Sequence, residues 1–305
     1  MRIVVHGQQA FGKAVLEALL ERDEDVIAVY VAPDREGYPP DPLKEFALER
    51  DLPVHQPASY KTPEVWEAFR SFSPDLCIMA FVKLIVPEEF LNIPTHGSIQ
   101  YHPSLLPLHR GPSSINWPII QGVAKTGLSV FWPDNGLDTG PVLLQKEVDI
   151  GPDDTLGTVY FDKLFPLGVG AMVEALDLVK KGKAPRIEQD ESEATYESWC
   201  VAKEVEIDWS CSAQAVHNLI RGADPAPAAW VSVGGQILQL FGATRVDGAA
   251  VGAPGEILAI DEAGLTVAAE GGAVRVARLR AEGGKKLAAA EVAADLGMVL
   301  GDRLG

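Results

Sequence analysis

The sequence predicts an α/β domain with a doubly wound, mostly parallel sheet, followed by a smaller domain of short strands. Three observations predict this fold. Over the first 180 residues, short β-branched runs alternate with amphipathic helical stretches. From about residue 181 to 203 a polar, charged stretch has no apolar period, which is typical of a linker. Beyond it, short alternating runs are separated by glycine-rich turns.

Each element of the first domain follows from its own pattern. Short apolar, β-branched runs predict strands at residues 2–6, 25–31, 76–80, 97–102, 127–131 and 142–148. Apolar residues at helical spacing predict helices at residues 10–21, 42–50, 63–71, 113–121 and 155–181. We therefore expect parallel strands with helices on both faces of one sheet, a Rossmann-like arrangement.

The second domain has a different pattern. A helix is predicted at residues 212–221, and strands are predicted at residues 230–233, 237–241, 265–268 and 274–279. This strand spacing, with glycine pairs in the turns, is typical of a small barrel, and we expect an OB-like β-barrel. The predicted organisation is a catalytic domain at residues 1–182, a linker at 183–204 and the barrel domain at 205–305.

Composition and charge exclude several classes of protein. The 47% hydrophobic and 23% charged residues are typical of a globular chain and exclude a disordered or fibrous one. With 26 basic and 43 acidic residues the net charge is −17, which disfavours binding to nucleic acid or to an anionic membrane. Three cysteines without C-x-x-C spacing argue against a zinc site. We expect a cytoplasmic protein without a membrane span.

The first strand is followed by a turn that nearly matches a nucleotide-phosphate loop. The turn begins at Gly7 and continues through Gly12 and Lys13, but Ala14 stands where the loop needs a hydroxyl for Mg²⁺. Phe11 would also place a bulky side chain in a loop that must wrap a phosphate. We therefore interpret the two glycines as sites of close helix–sheet packing.

The first segment with catalytic potential spans residues 96–111. Gln100 and His102 share one face of a predicted strand at its carboxyl end, where open α/β sheets bind their ligands. Two prolines follow and are expected to hold Ser104 near the same place. A carboxamide donor and an imidazole are therefore predicted side by side.

The second segment spans residues 132–141 and also follows a predicted strand. Its aspartates, Asp134 and Asp138, stand among glycines and prolines, so by themselves they could be turn formers. Taken with His102, Asp138 becomes a candidate base. A carboxylate and an imidazole at one sheet edge can polarise a carbonyl and manage the proton of an attacking amine or water, as acyl transfer requires.

These two segments resemble the signature of enzymes that use 10-formyltetrahydrofolate as formyl donor. The resemblance rests on residues 102–111 and 137–140 and extends along nearly the whole chain. Residues 215–222 are similar to the start of the barrel domain in methionyl-tRNA formyltransferases. Residues 101–107, 114–117 and 143–147 resemble the amino-terminal hydrolase/formyltransferase part of 10-formyltetrahydrofolate dehydrogenases. The aldehyde dehydrogenase part is missing, so oxidation of the formyl group is not expected.

The resemblance implies the roles of individual residues. It implies that 10-formyltetrahydrofolate is the co-substrate and that no metal is needed. His102 and Asp138 are the implied catalytic pair, with Ser104 and Thr139 in support. Folate is expected along two segments, whose residues are Phe81, Val82, Lys83, Leu84, Ile85, Pro133, Asp134, Asn135, Gly136 and Leu137.

One position departs from the family pattern. Most formyltransferases have asparagine two residues before the histidine, where it donates a hydrogen bond to the formyl oxygen, and this chain has Gln100. Glutamine keeps the carboxamide but extends it by one methylene, roughly 1.5 Å. We expect Gln100 to assist His102 in stabilising the oxyanion, while Asp138 holds the imidazole and relays the proton.

The sequence does not identify the acceptor of the formyl group. In methionyl-tRNA formyltransferases a basic loop after the second strand reaches the tRNA, whereas residues 33–42 here hold one basic and three acidic residues. A small-molecule amine or water therefore suits this chain better than tRNA, which stays as the alternative. A folate-binding protein without catalysis is a further alternative, which the presence of both His102 and Asp138 disfavours.

Overall fold

The computed structural model describes residues 1–246, 248 and 252–305 and contains two compact units. The first unit comprises Met1–Gly111, Gly127–Glu147 and Lys163–Tyr196. The second comprises Pro112–Thr126, Val148–Asp162 and Glu197–Gly305. The domain boundaries expected at residues 182 and 205 stay a prediction.

The first sheet has seven strands in the order β3-β2-β1-β4-β5-β6-β7. Its strands are β1 (Ile3–Gly7), β2 (Val26–Val31), β3 (Val54–His55), β4 (Leu76–Ala80), β5 (Ser98–His102), β6 (Lys125–Phe131) and β7 (Val142–Asp149). Strands β1 to β5 pair in parallel, and β6 runs antiparallel to β5. The prediction of a mostly parallel sheet is therefore confirmed.

The helices of the first 180 residues bury apolar side chains, except the shortest, which has no buried residue. They are α1 (Gln9–Leu20), α2 (Pro42–Leu48), α3 (Pro63–Ser71), α4 (Glu88–Leu91), α5 (Asn116–Ile120), α6 (Leu156–Thr158) and α7 (Phe165–Lys180). In α1 the side chains of Phe11, Val15 and Leu19 recur every four residues and are buried. The helical spacing of apolar residues in the sequence therefore corresponds to the buried face of this helix.

Two predicted helices differ from the structure. The helix expected at residues 155–181 is divided into α6, a π-helical turn at Val159–Leu164, and α7. Pro166 stands in the first turn of α7, and because proline has no N–H it cannot continue an α-helical ladder from the preceding turn. The helix expected at residues 113–121 is the shorter α5.

The strand order reverses between β1 and β4, so their carboxyl ends border a crevice. A Cβ atom on Gly7 would lie 2.3 Å from the carbonyl oxygen of Ala80, and one on Gly12 would lie 2.9 Å from Leu43 Cδ2. Gly7 is therefore needed for the close approach to β4, which agrees with the predicted packing, whereas a side chain at Gly12 would require the Leu43 side chain on α2 to move. Phe81 follows β4 directly and stands at this crevice.

The second sheet is antiparallel and six-stranded, in the order β10-β11-β12-β9-β8 with β13 beside β12. Its strands are β8 (Ala229–Val233), β9 (Gln236–Val246), β10 (Ile257–Asp261), β11 (Gly264–Ala269), β12 (Gly272–Ala281) and β13 (Leu287–Ala288). The second unit also contains a 3₁₀ turn (Ala202–Val205) and helices α8 (Ala213–Ala223) and α9 (Ala289–Asp295). A separate β-rich part is confirmed, and its closure into an OB-like barrel stays a prediction.

Across residues 1–246, 248 and 252–305, no helix is both long enough and apolar enough to cross a bilayer.

His6 is a buried titratable group in the first sheet. Its Nε2 atom lies 2.8 Å from the hydroxyl of Tyr60, and burial lowers the pKa of His6 to about 3 from 6.5. The unfolded chain therefore binds more protons than the folded chain between these pH values. As the pH falls below 6.5, the free energy of unfolding should decrease, by up to about 1.4 kcal/mol per pH unit from this residue alone.

The substitution His6→Asn tests this pH dependence. The variant should be less stable at pH 7.5 because the packing around His6 changes, but its stability should fall less steeply between pH 6.5 and 4.5. Urea unfolding at several pH values in this range measures how steeply the free energy of unfolding falls with pH in the parent protein and in the variant. His96→Asn is the control, since His96 is exposed, and it should keep the slope of the parent protein. If stability fell as steeply with pH in His6→Asn as in the parent protein, this pH dependence would not come from His6.

Candidate active site

His102 ends β5 and is buried at the carboxyl end of the strand. Gln100 lies two residues earlier on the same face, half-buried, and pairs across the sheet with Met79 on β4 and Phe131 on β6. The structure therefore brings these two predicted residues together. The carboxamide of Gln100 has no hydrogen bond to another described residue, which leaves it available to a ligand.

The hydrogen bonds of His102 assign different roles to its two ring nitrogens. Nε2 lies 2.9 Å from the backbone oxygen of His109. A carbonyl oxygen only accepts hydrogen bonds, so Nε2 carries a hydrogen and donates it. Nδ1 faces Asp138 and is the nitrogen left for proton transfer or for a substrate oxygen.

Asp138 lies in the loop after β6 and is also buried. Its Oδ2 atom is 3.6 Å from His102 Nδ1 and accepts a hydrogen bond of 2.9 Å from the backbone N–H of Gly111. A separation of 3.6 Å is longer than an N–H···O hydrogen bond, so the imidazole is close to the carboxylate without being bonded to it. The predicted pair is therefore assembled in the structure.

The loop that carries Asp138 is sharply folded. The φ angle of Asp138 is +58°, a left-handed conformation uncommon for a residue with a side chain. A Cβ atom on Gly140 would lie 1.8 Å from the carbonyl oxygen of Trp132, and one on Gly136 would lie 1.8 Å from Thr139 Oγ1. The two glycines let the loop fold back so that Asp138 reaches His102.

The predicted supporting residues stabilise turns. Ser104 donates a hydrogen bond of 2.6 Å to the carbonyl oxygen of Leu108, and its own carbonyl accepts one of 2.7 Å from Ser129 Oγ. Thr139 donates a hydrogen bond of 2.6 Å to Asp134 Oδ1, which also accepts from a backbone N–H of the same loop. Ser104 and Thr139 thus shape the loops that hold His102 and Asp138.

The two segments expected along folate expose apolar side chains. In the segment after β4, Phe81 and Leu84 are about one-third exposed and Ile85 is 81% exposed, while in the other segment Leu137 is 58% exposed. The remaining predicted residues of these segments are half-buried or exposed and are Val82, Lys83, Pro133, Asp134, Asn135 and Gly136. The side chain of Asn135 donates a hydrogen bond of 2.5 Å to Glu88 Oε2 on α4, which ties the second segment to the element that follows the first.

The site as a whole is organised for acid–base chemistry on a carbonyl. It combines a buried carboxylate, an imidazole with one uncommitted nitrogen and a carboxamide, next to exposed apolar side chains. Across residues 1–246, 248 and 252–305, no group of three or more histidine, cysteine or carboxylate side chains could hold a metal ion. These residues can stabilise an oxyanion and move a proton.

Sequence reasoning missed several residues around the candidate pair of His102 and Asp138. Gly111 supplies a backbone donor to Asp138, and Thr195 accepts a hydrogen bond of 2.7 Å from the backbone N–H of His109. Gln189 donates to the carbonyl oxygen of Asp138 at 2.9 Å. Gly111 lies inside the motif, but Gln189 and Thr195 lie in the stretch interpreted as a linker, where no sequence signal distinguishes them.

The chain matches two family models. Residues 1–176 match the model described as formyl transferase, and residues 201–296 match the formyl transferase C-terminal domain.

Individual relatives agree with these models. The chain is 40% identical over 304 residues to the human mitochondrial 10-formyltetrahydrofolate dehydrogenase, covering 95% of this chain but only 33% of that protein. It is 38% identical over 308 residues to a methionyl-tRNA formyltransferase of Trichlorobacter lovleyi, covering 99% of this chain and 96% of that one. A crystal structure of HypX from Aquifex aeolicus with tetrahydrofolic acid has a similar fold, with a TM-score of 0.70, 21% identity and coverage of 100% of this chain and 50% of the other.

Proposed function

Because the chain belongs to the formyltransferase family, we propose that it transfers the formyl group of 10-formyltetrahydrofolate to a small-molecule amine or to water and releases tetrahydrofolate. The observation that carries this proposal is the buried pair of His102 and Asp138 beside Gln100 at the carboxyl end of β5. The chain spans about a third of the length of the dehydrogenase relative, so that protein's oxidation step is not part of the proposal.

The residues of the proposed donor site fit a folate. A pterin is a flat aromatic ring, and exposed apolar side chains gain stability when such a ring covers them. Phe81, Ile85 and Leu137 are exposed and stand on the two segments that α4 connects through Asn135. We assign these segments to donor binding, with the backbone of residues 133–137 providing polar contacts.

The proposed chemistry uses three side chains. The acceptor nitrogen or oxygen forms a bond to the formyl carbon, the bond from this carbon to N10 of the folate breaks, and one proton passes from the acceptor to N10. Asp138 is the group that removes this proton and passes it to N10. His102, with a hydrogen on both ring nitrogens, donates from Nδ1 to the formyl oxygen as negative charge develops there. Gln100 donates to the same oxygen from the neighbouring position on β5.

The loop after β2 supports a small acceptor. Lys44 is paired with the carboxylate of Asp34, and this hydrogen bond holds the pKa of Asp34 below its ordinary value. Asp41 accepts the backbone N–H of Gln9 at 2.8 and 2.9 Å with its two oxygens. A carboxylate therefore already occupies the amino-terminal end of α1, where an anion would otherwise bind. This arrangement disfavours a phosphate-bearing acceptor at this loop.

Methionyl-tRNA is the second candidate acceptor. The observation in its favour is the full-length match to the methionyl-tRNA formyltransferase of Trichlorobacter lovleyi, which covers 96% of that protein. The net charge of −17 and the acidic residues of the loop at 33–42 oppose it.

The experiment that tests the proposal measures tetrahydrofolate released from 10-formyltetrahydrofolate by the purified protein. It is run in buffer alone, with a panel of primary amines including amino sugars, and with charged methionyl-tRNA. Release in buffer alone identifies water as the acceptor, and release only with one amine identifies that amine. Release only with methionyl-tRNA would replace the proposal by its alternative, and folate binding without release would overturn catalysis.

A further inference from the structure

A segment outside the catalytic motifs lies against the catalytic loop. Residues 189–196, here called the 189–196 segment, bond to three backbone groups of the loop at residues 103–111, which follows His102. The N–H of Thr195 donates to the carbonyl oxygen of Pro107 at 3.2 Å, and its carbonyl accepts from the N–H of Arg110 at 2.9 Å. The hydroxyl of Thr195 accepts from the N–H of His109 at 2.7 Å. One threonine thus holds the loop at three points.

The threonine contact leads directly to His102. The carbonyl of His109 accepts the hydrogen of His102 Nε2, and this bond sets the orientation of the imidazole ring. His109 has a φ angle of +55°, a left-handed conformation that is unfavourable for a residue with a side chain and persists only where neighbouring groups hold it. The hydrogen bond from the His109 N–H to Thr195 stabilises the peptide on which His102 depends.

A second contact leads to Asp138. The side-chain amide of Gln189 donates to the carbonyl oxygen of Asp138 at 2.9 Å and to that of Gly140 at 2.7 Å. Asp138 is also in the left-handed conformation, so its backbone needs external support. Gln189 provides this support through its hydrogen bonds to the carbonyl oxygens of Asp138 and Gly140.

Arg110 fixes the orientation of the Gln189 carboxamide. The fully buried guanidinium donates to Gln189 Oε1 at 2.8 and 3.1 Å, to both carboxylate oxygens of Glu191 at 2.6 and 3.0 Å, and to the hydroxyl of Tyr196 at 2.6 Å. A guanidinium only donates, so the amide oxygen must face it and the NH₂ group must face Asp138. Arg110 also holds the pKa of the Glu191 carboxyl below its ordinary value.

We propose that Thr195 and Gln189 are positioning residues, which hold the backbones of His109 and Asp138 and thereby set the distance and angle between His102 and Asp138. This inference rests on the proposed function, because it assigns these residues to the formyl-transfer site. These two residues lie in a stretch that the sequence presents as a linker, and they support the catalytic pair from there.

The test uses Thr195→Val, which keeps the shape of the side chain but removes the acceptor, and Thr195→Ser, which restores a hydroxyl. Thr195→Val should lower kcat at least about tenfold and leave the KM for 10-formyltetrahydrofolate within about twofold, since small displacements of a catalytic pair have effects of this size. Thr195→Ser should recover most of the loss. Gln189→Met should also lower kcat with little change in KM. The control is Ser192→Ala, because the Ser192 side chain donates to Asp190 within its own turn.

A second readout does not depend on turnover. The ¹⁵N resonances and the titration midpoint of the His102 imidazole are recorded by NMR in the unliganded protein and its variants. Both should change in Thr195→Val and Gln189→Met and stay unchanged in Ser192→Ala. Unchanged His102 resonances in a folded Thr195→Val or Gln189→Met variant overturn the inference. If the parent protein releases no tetrahydrofolate, the proposed function fails, while the His102 resonances still decide whether these residues position the ring.

Discussion

Replacing Asp138 by asparagine should lower the rate of formyl transfer by about 10²- to 10⁴-fold, the range that removal of a general base produces. The substitution is conservative in shape, and the amide oxygen of asparagine can still accept the N–H of Gly111, now 2.9 Å from Asp138 Oδ2. What is lost is the negative charge 3.6 Å from His102 Nδ1 and the ability to take a proton. Donor affinity should stay within about twofold, because the donor segments expose other side chains for binding.

The measurement is single-turnover release of tetrahydrofolate, combined with equilibrium binding of a folate analogue. The matched control is Asp208→Asn, a carboxylate outside the site that accepts hydrogen bonds from Ser210 in its own turn. This control should keep the activity of the parent protein. Turnover close to that of the parent in Asp138→Asn would remove Asp138 from the proposed chemistry, and an equal loss in Asp208→Asn would show that the effect is not specific to Asp138.

The features of the fold that the sequence could predict are those that repeat along the chain. The alternation of apolar runs and helical spacing predicted the mostly parallel sheet because burial on both faces requires it. β3, with two residues, and α4, with four, are too short to show a repeating spacing of apolar residues, and the sequence analysis does not predict them. The helix expected at residues 155–181 is divided because a π-helical turn precedes Pro166. The spacing of apolar residues does not reveal this local change in hydrogen bonding.

For the site, the sequence predicted candidate residues for the chemistry, and the structure added the residues that contact their loops. His102 and Gln100 could be placed together because side chains two apart on a strand share a face. The contact of Thr195 with His109 spans 86 residues, and that of Gln189 with Asp138 spans 51. Both involve backbone groups, which have no side-chain signature, so no motif in one sequence could show them.

Replacing His102 by glutamine should cause a loss as large as that in Asp138→Asn. The side-chain amide of glutamine can still donate to the carbonyl of His109, which now accepts from Nε2 at 2.9 Å, so the loop keeps its support. The variant has no group equivalent to Nδ1 and cannot carry a positive charge near the formyl oxygen. A loss of about 10²- to 10⁴-fold in kcat with little change in melting temperature is expected. A loss confined to KM would assign His102 to binding instead.

The double variant shows whether His102 and Asp138 work as one unit. If Asp138 acts only on a proton that His102 shares across their 3.6 Å separation, removing the second residue after the first should cost little more. The proposed chemistry instead gives the two residues separate tasks, Asp138 serving the acceptor and His102 the formyl oxygen. We therefore expect His102→Gln with Asp138→Asn to be far slower than either single variant, approaching the product of the two losses. A double variant within about tenfold of either single variant would mean that the two residues act as one unit on a shared proton. The same single-turnover assay distinguishes these two mechanisms.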